Sequence, residues 1–167
     1  LRAPHQGYAR WPVALPSSAW ARALRPRDVE RHSGAATMDE TRATQFLNEV
    51  RKPLLTLHKA ILDHERAEYE REFGPTTPAA FLQVLINGTE FRWLMPLSTV
   101  IANVDETLDA KDAKSEDRVG AAEGVAGLFA GEESVEFFER YQALLQKSPE
   151  VLHQHGVVAK LLNGIKN

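Results

Sequence analysis

Aliphatic and aromatic side chains recur every three or four residues through most of this chain, and no useful stretch alternates apolar with polar. A spacing of three and four is the signature of one helix face, whereas a half-buried strand needs a period of two. Between residues 39 and 73 the stripe is Phe46, Val50, Leu54, Leu57 and Ile61. Between 89 and 109 it is Leu94, Leu97, Ile101, Val104 and Leu108. The pattern therefore predicts an all-α fold in which each stripe is buried against another.

Turn and cap residues divide the chain into helices. Gly74-Pro75 ends the first long helix, and Pro53 bends it or marks its true beginning. Thr77-Pro78 starts a short helix, since Thr caps a free N–H and Pro at the first helical position loses none. Phe81, Leu82, Leu85 and Ile86 give that helix a wide apolar face, and Asn87-Gly88 stops it, with a left-handed glycine expected there. Pro96 either kinks a helix running through it or leaves 90–95 as a separate turn with the next helix beginning near Pro96, and the second reading is preferred. A charged linker then leads to a helix capped by Ser115. A helix over 132–146 follows, with Val135, Phe138, Tyr141 (or Gln142) and Leu145 inward. Ser148-Pro149-Glu150 opens the last helix, expected to bury Val151, Leu152, Val158, Leu161, Leu162 and Ile165. The reading is a single up-and-down bundle of five to six helices. Its core helices are 39–73, 96–110, 115–130 and 150–165, and the short helices 78–86 and 133–146 complete it.

Residues 1–37 differ from the rest. They hold four prolines and six Arg against Asp28 and Glu30, a balance of +4, while residues 38–167 hold 14 basic and 21 acidic residues, a balance of −7. The expectation is a flexible basic extension, or one with a short helix around 19–24, read from an upstream or misassigned start ahead of a native start at Met38. The sharper alternative is an arm that uses Trp11 and Trp20 to grip an acidic partner or the body itself. An acidic body argues against nucleic-acid binding by the folded part. No apolar run is long enough for a membrane span, and the absence of cysteine removes disulfides and thiolate metal sites. A cytoplasmic protein is the default expectation.

Groups three, four or seven apart share a helix face. His64 and Glu68 pair in this way and prolong the first stripe, and Asp105 adjoins the stripe of the third helix. Antiparallel packing of those helices would allow a buried cluster of His64, Glu68 and Asp105, with His153 as a further ligand. A divalent metal such as zinc or iron is the cofactor of that alternative; the first reading has no cofactor. A di-iron bundle would need two Glu-x-x-His motifs, and only Glu150-Val151-Leu152-His153 is present. Catalytic residues are not expected: there is no Gly-x-Ser-x-Gly, no Cys, and Ser98 has no neighbouring His in sequence. Phe91, Arg92 and Trp93, beside the broken helix, are candidates for a contact surface or pocket. Gly120, Gly124, Gly127 and Gly131 fall on one face at spacings of four, three and four. Each interior glycine costs about 1 kcal/mol against Ala, so close approach of another helix is the expected use.

Residues 81–106, FLQVLINGTEFRWLMPLSTVIANVDE, resemble a segment in a family of uncharacterised bacterial all-helical proteins, through Phe91, Trp93, Leu94, Pro96, Leu97, Ser98, Asp105 and Glu106. The sequence at 141–155 resembles that family's closing segment, and residues 1–37 have no counterpart in it. The resemblance implies no activity, cofactor or site residue. The expected role is a non-enzymatic helical protein that self-associates or binds a protein partner, under stress among other conditions. The alternative is a bundle that binds a metal or a small ligand.

Overall fold

A computed structural model describes residues 38–167. The expectations placed on residues 1–37 lie outside the described residues. Among those described there are six α-helices, one 3-10 segment and no strand. The helices are α1 (Glu40–Phe73), α2 (Pro78–Asn87), α3 (Met95–Asp109), α4 (Ser115–Ala130), α5 (Val135–Lys147) and α6 (Pro149–Lys166), with the 3-10 turn at Thr89–Leu94 between α2 and α3.

The axis of the molecule is α1. Asp39 caps it by accepting the Arg42 N–H at 2.8 Å, and Pro53 is carried inside one continuous helix of 34 residues. At 1.5 Å per residue that is about 50 Å of helix. The full predicted stripe is buried, joined by Ala43, Leu47 and Ala60. Cross-helix contacts fix the directions of the neighbours. Arg42 donates to the Gly164 carbonyl, so α6 runs antiparallel to α1. Arg51 meets Asp105 and Asp109 while His58 meets Ser98, so α3 is antiparallel too. Arg118 pairs with Glu40, which sets the start of α4 beside the start of α1. The order is therefore up, down, up, down, with α1 packed against all three partners.

The remaining elements gather toward the far end of α1. Phe81 of α2 sits 5.7 Å from Tyr69 and 5.8 Å from Phe91 between ring centroids. Trp93 of the 3-10 turn packs on Phe137 of α5, which stacks on Tyr141 at 5.2 Å. The turn-then-helix reading around Pro96 matches the observed elements, with Pro96 in the first turn of α3.

Several local expectations are corrected. Gly88 is not left-handed: its φ is −78°, and its constraint is proximity, because a Cβ there would lie 2.6 Å from the Val84 carbonyl oxygen. Lys114, not Ser115, is the residue before α4, and the Asp117 carboxylate reaches back to accept its N–H at 2.9 Å. In α5 the inward aromatic is Phe137 rather than Phe138, and Val135 is exposed. In α6, Leu152 is exposed, while Leu161 and Ile165 are half-buried.

No other helix of the described residues uses the glycine face of α4. A Cβ at Gly120 or Gly124 would meet nothing within 4 Å, so no helix among the described residues approaches there. A Cβ at Gly127 would meet the movable side chain of Glu133. Gly131 has φ +80° and closes the helix, its N–H bonding to Leu128 and that of Glu132 to the Gly127 carbonyl. That pair of bonds is a left-handed helix stop, which satisfies carbonyls the helix itself leaves free.

Candidate functional site

The largest departure from sequence expectation lies in α2. Of the four residues that make its apolar face, only Phe81 is buried. Leu82 is 52% exposed and Ile86 47%, although they lie one turn apart and would be core residues in any fully covered helix. The close approach of Gly88 to the Val84 carbonyl folds the chain sharply back into the 3-10 turn, which brings Phe91 and Met95 toward Leu85 and Ile86. The elbow holds a shallow pocket of about 260 Å³ lined by Leu85, Ile86, Gly88, Phe91, Arg92 and Met95. Its walls are apolar apart from the Arg92 side chain and the backbone.

Of the predicted interaction residues, Phe91 and Arg92 line this pocket, whereas Trp93 is 5% exposed and belongs to the core. The volume falls below the range of about 300–1,000 Å³ usual for small-molecule sites. It suits one or two inserted side chains.

The predicted ligand residues are placed apart. His64 Nε2 and Glu68 Oε1 are 3.9 Å apart on one face of α1, as their spacing requires, and Glu68 is also held by Arg71. Asp105 lies elsewhere. Its Oδ1, shielded from solvent, is 2.6 Å from Arg51 Nε at an angle outside hydrogen bonding, so this contact is charge to charge. Arg51 completes the cluster with two 3.1 Å hydrogen bonds to Asp109. Because Arg51 marks the level of Asp105 on α1, His64 stands thirteen residues further along, or about 20 Å of helix. Antiparallel packing was the right premise, but the register separates the two groups. His153 is exposed on α6. Among the described residues no three such side chains are grouped as metal ligands would be.

Three polar features went unread in the sequence. Ser98 Oγ lies 3.3 Å from His58 Nε2 across the α1–α3 contact, and burial holds His58 below its ordinary pKa. The pair could exchange a proton. A serine nucleophile would also need an oriented base, and His58 has no carboxylate partner among the described residues. Tyr141 OH lies 2.8 Å from His155 Nδ1, with the tyrosine 1% exposed. Burial raises the Tyr141 pKa well above its ordinary value and lowers that of His155, so the pair is neutral near pH 7 and shares one hydrogen bond whose donor is set by the imidazole tautomer. Glu65, half-buried against α5, has its pKa raised by burial, against the opposing pull of His64, Lys147 and Arg140. These groups pair separately and share no cavity with the α2 elbow. Only the interval of fourteen between Tyr141 and His155, across a Ser-Pro helix start, hinted at one of them.

No helix among the described residues is long and apolar enough to cross a membrane. No protein-family model, curated protein or solved structure matches the chain.

Proposed function

We propose that this protein is a non-enzymatic recognition module that receives an amphipathic helix of a partner protein at the α2 elbow. The observation that carries the reading is that α2 turns Leu82 and Ile86 outward beside a pocket sized for a side chain. A helix-in-groove partner presents anchors one turn apart, the same interval that separates Leu82 from Ile86. Exposed apolar side chains grouped around a concavity are the usual mark of such a surface, whereas single ones carry no meaning. Leu82, Ile86 and Met95 with the pocket walls fall well short of the 20–30 residues a side, about 800 Å², of a standard stable interface, which favours a transient partner over an obligate dimer.

The test is a methyl NMR titration of the full chain with a synthetic amphipathic helix carrying Trp and Leu four residues apart. Shifts confined to Leu82, Leu85, Ile86 and Met95, and lost in Leu82→Glu/Ile86→Glu, are the expected result. The reading fails if millimolar peptide leaves those methyls unmoved, or if the double variant responds as the native chain does. Concentration-dependent sedimentation of the chain alone, abolished by the same variant, would replace the partner with a second copy.

A further inference from the structure

Two glycines bound the segment that carries α2. Gly74 has φ +88° and ψ 173°, a region that essentially only glycine enters, and a Cβ there would meet nothing within 4 Å. Gly88 lies against the Val84 carbonyl at the other end, where the chain turns into the 3-10 segment. Between them α2 is held thinly. Phe81 is its one buried side chain, Val84 and Leu85 pack half-buried, and no other element makes an extended backbone contact with the helix. A polar hold on the segment falls on a single residue of the arc before α2. Both backbone groups of Thr76 are taken by side chains of α1: its N–H donates to Glu70 Oε1 at 3.0 Å, and its carbonyl accepts from the Arg66 guanidinium at 2.6 Å. Arg66 Nε donates to the same Glu70 oxygen at 3.1 Å, which closes the three bonds into a ring.

We propose that residues 75–87 form a flap that opens as a unit on Gly74 and Gly88 while the four-helix bundle stays folded, with the Arg66–Glu70 clasp on Thr76 holding it shut. Units with few buried apolar contacts open below the free energy of global unfolding, and hinges are a few residues that absorb the backbone change. Opening takes the elbow apart, because Leu85 and Ile86 ride on the flap while Phe91, Arg92 and Met95 lie beyond the second hinge. It also withdraws Phe81 from Tyr69 and Phe91, its ring neighbours at 5.7 and 5.8 Å. Clasp and partner therefore favour the same closed state. That consequence rests on the proposed reading of the elbow as a docking surface; the flap itself does not.

Native-state hydrogen exchange of the full chain, read by NMR in low urea, tests the flap. The amides of 81–88, bonded within α2 and at its ends, are expected to exchange through one shared opening whose urea dependence is smaller than that of global unfolding. Glu70→Ala and Arg66→Met should each speed all of them about tenfold, the loss expected of a charge-assisted bond. Glu68→Ala removes the pairing with Arg71 from the same stretch of α1, which the open flap would keep, so the flap amides should not respond. Exchange of α2 amide by amide without urea dependence is fraying and overturns the flap, as does exchange only with the whole bundle. Clasp variants that speed the core amides but not 81–88, or a Glu68→Ala chain that matches them, overturn the clasp. The synthetic amphipathic helix at ten times its Kd should slow flap exchange about tenfold in the native chain. Methyl shifts at the elbow without that slowing keep the docking surface and overturn its control by the flap. A shared opening with no methyl shifts upholds the flap and defeats the elbow reading alone.

Discussion

Replacing Gly120 and Gly124 together by alanine should stabilise this protein, while the single exchange Gly131→Ala should weaken it. All three residues fall on one face of α4 by spacing, and the difference is local. A Cβ at 120 or 124 enters open space, and both positions lie inside a regular helix. There an alanine gains about 1 kcal/mol over glycine, chiefly because the unfolded chain has less freedom to lose. Each gain is a backbone effect and neither new Cβ meets another group within 4 Å, so the pair comes to about 2 kcal/mol. At about 2–4 °C per kcal/mol for a chain of this size, Tm rises by about 4–8 °C. With a urea m-value of about 2 kcal/mol/M, the unfolding midpoint rises by about 1 M.

At Gly131 the sign reverses. Its φ of +80° costs an L-residue about 1–2 kcal/mol, and a Cβ there would press 3.0 Å against the Phe138 ring. Urea unfolding followed by circular dichroism, with sedimentation of each variant, reads all of this. A double variant that loses stability or changes its association state would refute the argument. It would mean that another surface closes on the face of α4 in solution, the use first expected of these glycines.

Tyr141→Phe removes the hydroxyl that pairs with His155 Nδ1, so we expect a loss of about 1–2 kcal/mol by urea unfolding at pH 7. Stability should also fall with acid in a defined window. Burial lowers the folded-state pKa of His58 and His155, so the unfolded chain takes up protons first. Their contribution is complete above about pH 6.5 and is lost as pH falls through the folded values. The Tm of His155→Phe should change less between pH 7.5 and pH 5.5, as scanning calorimetry would show, and an unchanged slope would remove His155 from the account. Glu65 works in the opposite sense, because its folded pKa is raised. Glu65→Gln should therefore stabilise the chain at pH 7, with the gain shrinking as pH falls toward about 4.3, the ordinary glutamate value.

The helices were legible because burial selects one face at a fixed period, and α1 keeps that period without a break from Phe46 to Ile61. Caps were legible where one side chain decides them, as Thr77 and Ser148 do. What could not be read depends on register between helices. His58 and Ser98 are forty residues apart, and Asp105 meets Arg51 instead of His64 only because α3 starts where the 3-10 turn leaves it. Neighbouring choices such as Phe137 over Phe138, or His155 over His153, turn on rotations of about 100° or 200° that periodicity resolves poorly in short helices.

The elbow belongs to a different kind of gap. An apolar stripe states that a helix has something to lose by remaining in water, but it does not state what removes it from water. For α1, α3 and α4 the answer lies in the other helices of the bundle. For α2 it does so only in part: Phe81 is buried and Val84 and Leu85 pack half-buried against the core, while Leu82 and Ile86 stay exposed. With Leu82 52% and Ile86 47% exposed, about half of the roughly 1.5–3 kcal/mol that full burial of each side chain is worth remains to be gained. That remaining gain is what the proposed partner helix would draw on at the elbow.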